Sequence, residues 1–189
     1  MEEIFKQIES NVVRVAFVGP ECTGKTTLCQ HLAKQFQTQW VPEFMRTYLQ
    51  KKWDEKQQTC TWDDLIPIAL GQISDENKRI KKANNFIFCD TNLLELMIYS
   101  YIYYGKSPFQ IEKYALENQY DILFLTHIDV PWQADDLRDK PNEREFMLSE
   151  FQRILDKHGK KYINLKGNLT ERIHTVTEIL NDFQKNKLK

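Results

Sequence analysis

The stretch Val12-Val13-Arg14-Val15-Ala16-Phe17-Val18-Gly19-Pro20-Glu21-Cys22-Thr23-Gly24-Lys25-Thr26, running on into Thr27-Leu28-Cys29-Gln30-His31-Leu32-Ala33-Lys34-Gln35-Phe36, decides the fold. Its first part is a short apolar run rich in β-branched residues, the pattern of a buried strand, and its last part repeats apolar residues at helical spacing. Between them stands G-x-x-x-x-G-K-T. Gly19 and Gly24 let the N–H groups of Pro20's successors, Glu21, Cys22 and Thr23, turn inward round a phosphate, and the helix N-terminus that carries Thr26 and Thr27 adds partial positive charge. Lys25 supplies a mobile point charge for the outer phosphates of a nucleotide. Thr26 offers a hydroxyl to Mg²⁺, an ion that keeps most of its waters and takes few protein ligands. A glycine-rich turn with a solvated lysine would need neither the strand in front nor the helix behind.

Outward from this stretch, 189 residues with 41% hydrophobic content predict one α/β domain spanning residues 1–189. The net charge of −1 argues against nucleic acid as a general partner. Cys22, Cys29, Cys60 and Cys89 show no C-x-x-C spacing, which predicts reduced thiols and neither a disulfide framework nor a zinc site. No apolar stretch approaches the roughly 20 residues of a membrane span, and Met1-Glu2-Glu3 is no signal-peptide start, so the expectation is a cytoplasmic protein with no membrane insertion.

Along the chain, residues 1–11 read as an amphipathic lead-in with Ile4, Phe5 and Ile8 on one face. A second strand, 38–42, ends at Pro42, which places Glu43 and Arg46 beyond a strand's carboxyl end, where open parallel sheets collect ligands. A helix-start carboxylate with an arginine three residues on is also a common surface pair. Residues 51–61 read as a loop or frayed helix end, Thr61 with Asp64 as a capping arrangement, and Leu65, Ile66, Ile68, Ala69, Ile73 and Ile80 as the apolar face of a long helix. Within it, Gly71-Gln72 either permits close packing with Gln72 reaching a ligand, or is a tolerated defect.

Residues 85–91 form an apolar strand closed by Asp90, a carboxylate placed to hold Mg²⁺ or align an acceptor hydroxyl, or to cap the helix of residues 92–104. The tyrosines of that helix, Tyr99, Tyr101, Tyr103 and Tyr104, read as packing rather than a stacking platform. After a break at 105–108 come a helix to about residue 119 and a strand at 121–126. A polar stretch at 129–144 then carries Arg138, Lys140 and Arg144 and reads as a lid whose cations offset transferred phosphoryl charge. His127 and Asp129 read as a strand-end turn. A helix at 142–158, Gly159 as its C-cap, a strand at 161–165 and a helix at 170–183 complete a doubly wound sheet of five parallel strands flanked by helices, followed by a frayed basic tail at 185–189.

Gly19-Pro20-Glu21-x-x-Gly24-Lys25-Thr26-Thr27-Leu28, Val41-Pro42-Glu43-Phe44-x-Arg46-x-Tyr48, Ala69-Leu70-Gly71-Gln72, Asp90-Thr91 and Asp136-Leu137-Arg138 occur in this order over nearly the whole chain. That series resembles the NadR-like nicotinamide riboside kinases, P-loop proteins similar in fold to nucleoside monophosphate and deoxynucleoside kinases. The resemblance implies ATP-dependent phosphorylation of the ribose 5′-hydroxyl of nicotinamide riboside, with Mg²⁺ on Thr26 and Asp90 and a small-molecule nucleoside as partner. It implies Glu43 or Asp90 as base, with Glu43 favoured, Arg46 on substrate or phosphate, and Arg138 and Arg144 acting from the lid. A cationic ring wants an aromatic face, and Phe44, Tyr48 or Trp132 could provide it beside Gln72. Bifunctional members carry a nucleotidyltransferase signature, H-x-G-H, which this sequence lacks, so the mononucleotide is the expected product. Cys22 stands where serine is common in the resembling proteins, which raises redox sensitivity of the loop. Two other readings use the same motifs: a kinase for another nucleoside or small acceptor, and a nucleotide-binding regulatory ATPase with a protein or lipid partner.

Overall fold

The computed structural model describes residues 2–138 and 142–187. Five strands, β1 (Val13–Val18), β2 (Gln39–Val41), β3 (Phe86–Asp90), β4 (Ile122–Thr126) and β5 (Ile163–Leu165), form one sheet in the order β2-β3-β1-β4-β5. Every pairing is parallel; Val15 of β1 lies opposite Phe88 on one side and Ile122 on the other. The sequence explains the arrangement. β1, β3 and β4 are near-continuous apolar runs without alternation, buried at every position, as strands covered on both faces must be.

One face carries α1 (Lys25–Gln35) and α7 (Leu169–Lys187), packed on a layer in which Phe17 stacks on Phe124 at 5.2 Å beside Phe86 and Phe88. The other carries α3 (Leu65–Ile80), α4 (Leu93–Tyr104), α5 (Phe109–Glu117) and α6 (Arg144–Lys157), with α2 (Phe44–Lys56) laid against α3. Arg14 is the exception inside β1. Its guanidinium pairs with buried Glu76 of α3 at 3.0 Å and donates to Ile8 O, while Glu76 also accepts from Tyr120 and Gln7. A buried ion pair persists only when its remaining hydrogen-bonding capacity is met, and here it ties the N-terminal segment to the sheet.

Several boundaries differ from expectation. The lead-in is a 3₁₀ turn, Glu2–Phe5, in which Phe5 is buried on Tyr114 but Ile4, its neighbour about a third of a turn away, stays in solvent. Residues 51–56 are the last turns of α2, which stops at Gln57 in a left-handed conformation. Thr61 and Asp64 form the capping box, around a 3₁₀ turn, Trp62–Asp64, that leads into α3. α7 begins at Leu169 and runs to Lys187, so much of the expected basic tail is helix, while Leu188 and Lys189 lie outside the described residues. Among the described residues, no helix is long and apolar enough to cross a membrane.

Candidate functional site: a phosphate loop and two adjoining cavities

The carboxyl ends of β1, β2, β3 and β4 bring Gly19, Glu43, Asp90 and Thr126 together. Gly19 is held close to β4: a Cβ there would fall 2.5 Å from Thr126 Oγ1 and 2.7 Å from its carbonyl oxygen. Thr23 closes the loop from inside, its hydroxyl donating to Pro20 O at 2.9 Å and lying 2.8 Å from Thr126 Oγ1. From outside, the buried guanidinium of Arg172 on α7 donates to Thr23 O, His127 O and Asp129. Asp129 also accepts the Gly167 N–H, and His127 meets Asn164, so this pair is a strand-end turn.

Lys25 opens α1 and turns back into the loop. Its ammonium donates to Gly19 O at 2.7 Å and Pro20 O at 3.1 Å and pairs with Glu95 Oε1 at 3.3 Å. Glu95 Oε2 in turn accepts the Gly19 N–H at 3.0 Å. Burial pulls the Lys25 pKa down, but the charges of Glu95, Glu43 and Asp90 outweigh it and leave the group above its usual range. Burial pushes the Glu95 carboxyl up to about 8 despite Lys25.

The Thr26 hydroxyl donates to Asp90 Oδ2 at 2.5 Å, and Asp90 Oδ1 is buried with no partner among the described residues. Asp90 does not cap α4; Asn92 does, accepting the Glu95 N–H at 3.0 Å. A hydroxyl beside a carboxylate with one free oxygen fits a hard divalent cation that takes few protein ligands. Among the described residues no group of three or more His, Cys, Asp and Glu is placed to hold a metal.

Glu43 precedes α2 without capping it. Burial, then the charge of Asp90, raises its carboxyl to about 7 against the pull of Lys25, Arg46 and Arg138. Glu43 and Arg46 do not form the surface pair that their spacing allowed. Arg46 grips Asp135 through both nitrogens, at 3.0 and 2.7 Å, and Arg138 Nε reaches the same carboxylate at 3.0 Å. The segment 127–138 therefore lies against α2. Its one arginine, Arg138, and Arg144 at the start of α6 converge on Cys22: Arg138 Nη1 is 3.5 Å from the sulfur, and Arg144 Nη2 donates to Cys22 O at 3.1 Å. Lys140 lies outside the described residues.

A cavity of about 460 Å³ is lined by residues 21–27, Glu43, Arg46, Glu95, Tyr99 and Arg138. A second, of about 190 Å³, adjoins it through shared Glu21, Met45, Leu49, Tyr99 and Leu137, and is walled by Leu65, Leu96, Tyr103 and Tyr104 with Asp136 among its lining residues.

Phe44, Tyr48 and Trp132, expected to touch substrate, are not among the residues lining either cavity, while Gln72 lines a small adjoining recess with Met45, Asn92, Glu95 and Tyr99. Phe44 packs its ring on Gly71, where a Cβ would fall 2.1 Å from it. Gln72 accepts the Phe44 N–H at 2.8 Å and donates to Pro42 O at 3.3 Å, so it holds the chain on either side of Glu43. Tyr48 donates to Asp64 at 3.1 Å. Trp132 lies under the Arg144 guanidinium, 5.7 Å from the ring centre. The aromatic wall belongs instead to α4, whose Tyr99, Tyr103 and Tyr104 had read as packing alone. Glu95 was missed altogether.

With this geometry in hand, comparison with known proteins places the chain. It is 25% identical over 175 residues to the trifunctional NAD biosynthesis/regulator protein NadR of Salmonella typhimurium, covering 89% of this chain and 43% of that one. The chain thus spans less than half the length of this curated relative. A crystal structure of NadR protein in complex with NR superposes with a TM-score of 0.72 at 19% identity, over 89% of this chain and 49% of the other. Deoxyadenosine kinase from M. mycoides, with products bound, superposes with a TM-score of 0.64 at 14% identity, over 90% and 100%. A family model for an AAA domain, AAA_28, matches residues 14–172, the span from β1 to the arginine behind the phosphate loop, and the chain belongs to that family.

Proposed function

We propose that this protein is an ATP-dependent kinase that phosphorylates the ribose 5′-hydroxyl of nicotinamide riboside, giving nicotinamide mononucleotide. The observation that carries the reading is Glu43: a carboxyl raised to about 7 that lines the same cavity as Lys25 and the phosphate loop. A general base works best when its pKa lies near the operating pH. The likeness to NadR supplies the acceptor. The 190 Å³ cavity supports it, since tyrosine faces with Glu21 and Asp136 among the lining residues suit a cationic aromatic ring.

In this reading the acceptor hydroxyl attacks the terminal phosphorus of ATP; the new O–P bond forms as the bond to the bridging oxygen breaks, and ADP leaves. Glu43 accepts the hydroxyl proton. Lys25 exchanges its loop carbonyls for phosphate oxygens, while the N–H groups of residues 21–26 hold the phosphates in place. Thr26 and Asp90 would hold Mg²⁺, which offsets phosphate charge when bound. Residues 129–144 act as a lid, with Arg138 and Arg144 countering charge on the transferred group and water excluded beneath them.

The test is ADP release with Mg-ATP and a panel of nucleosides, beside Lys25→Ala and Glu43→Gln. Fastest turnover with nicotinamide riboside, a product heavier by one phosphate, and loss in both variants are the expected results. A different preferred nucleoside would reassign the acceptor. ATP binding that no acceptor converts to ADP release would replace the kinase with a nucleotide-binding regulator.

A further inference from the structure

Two buried side chains of α4 and its cap face the site with hydrogen-bonding capacity that no described residue uses. Asn92, 2% exposed, accepts the Glu95 N–H through Oδ1, and this cap fixes the amide so that its NH₂ group points elsewhere; Nδ2 has no partner. Tyr99 is 6% exposed. Its ring is pinned edge-on to Phe151 at 5.4 Å and tilted against Tyr103 at 6.2 Å, and its hydroxyl has no partner either. A buried donor left unmade costs about 1–3 kcal/mol, so two of them on one helix call for an explanation in what they bind.

Their placement supplies one. Positions 92, 95, 96 and 99 fall at i, i+3, i+4 and i+7, a single face of α4, and helical side chains lean toward the N-terminus, which carries the Tyr99 hydroxyl back toward Asn92. Both donors line one narrow space of about 10 Å³, together with Glu95 and Met45. That space shares Met45 and Tyr99 with the phosphate cavity and the aromatic cavity alike. It has room for about one hydroxyl oxygen or one water, but not for a ring.

We propose that Asn92 and Tyr99 are acceptor-positioning residues that donate to one sugar hydroxyl of the acceptor, so that the site selects ribonucleosides over the counterpart lacking that hydroxyl. The inference rests on the kinase reading and adds the residues that choose the sugar. With base and sugar held between the aromatic cavity and this recess, the 5′ end is left to face Glu43 and Lys25.

Steady-state kinetics with Mg-ATP test it, using nicotinamide riboside and its 2′-deoxy and 3′-deoxy forms on the unmodified protein, Tyr99→Phe and Asn92→Ser. Serine preserves the helix cap while removing the amide donor. The expected result is an acceptor KM raised roughly tenfold or more in each variant, the loss of one buried hydrogen bond, with the ATP KM within about twofold of the unmodified protein's. The preference for the ribose form over one deoxy form should shrink with it. Unchanged acceptor KM and unchanged sugar preference would overturn the proposal and assign both donors to ordered water. Equal losses for every acceptor and for ATP, with a lowered Tm, would overturn it in favour of a purely structural role. If no nucleoside supports turnover by the unmodified protein, the kinase reading fails first and takes this inference with it.

Discussion

Lys25 directs its charge inward, onto the carbonyls of Gly19 and Pro20 and the carboxyl of Glu95, so in the proposed kinase a nucleotide would exchange these partners for phosphate oxygens. Glu43 must give up its proton to act as base, and with its carboxyl near 7, kcat/KM should rise between pH 6 and 8. Glu43→Gln should flatten that profile and lower turnover by about 10²–10⁴; a rising limb of unchanged position in the variant would assign the titration elsewhere. Glu95 makes a separate prediction about stability. Its folded value of about 8 lies above the ordinary 4.5, so below pH 4.5 it is protonated in both states, while between 4.5 and 8 the folded protein keeps a proton that the unfolded chain has lost. The stabilisation it gives is full below 4.5 and disappears as pH climbs through 8. The Tm of the nucleotide-free protein should therefore fall from pH 5 to pH 8, and Glu95→Gln, which keeps a neutral polar group, should fall less steeply; parallel melting curves would reject this. Glu95 carried a signal that motif reading passed over. It is the only charged residue in α4, and a lone carboxylate in so apolar a helix has to find a buried partner.

At the level of elements, the junction of β2 and α2 is held from α3. Gly71 admits the Phe44 ring, and Gln72 takes up the backbone N–H of Phe44 and the carbonyl of Pro42 on either side of Glu43. Gly71→Ala should cost about 1–3 kcal/mol through overpacking and reduce turnover by displacing Glu43. Phe44→Leu in the same chain should restore much of both, as read by urea unfolding and ADP release; no recovery in the double variant would break the link between the two positions. The sequence could not choose between a packing glycine and a defect here, because the ring that fills the notch is 27 positions away. Tyr48 misled for the same reason. Its partner Asp64 was legible as a capping residue, and nothing in the spacing said that one carboxylate would serve both. By contrast, the strand ends were legible, since an apolar run closed by Asp90 or Pro42 names its own boundary.

For the whole molecule, order along the chain and alternation of strand with helix were enough to anticipate five parallel strands with helices on both faces. Contacts across the sheet were not. Arg172 sits in an amphipathic helix where an arginine ordinarily faces water, yet it is 2% exposed and braces the phosphate loop through Thr23, His127 and Asp129. Arg172→Leu should cost about 2–4 kcal/mol by orphaning these acceptors and weaken nucleotide binding in parallel. Lysine should not rescue it, because a single ammonium cannot span a fork of partners; full recovery of urea stability in Arg172→Lys would refute the bracing role. The brace also sets a timetable for synthesis. The ribosome makes the glycine loop first and adds the guanidinium that backs Thr23 only 149 residues later, so a nascent chain still lacking α7 offers ATP an unbraced loop. On the kinase reading, a chain cut before α7 should hold ATP more weakly than one that carries the brace.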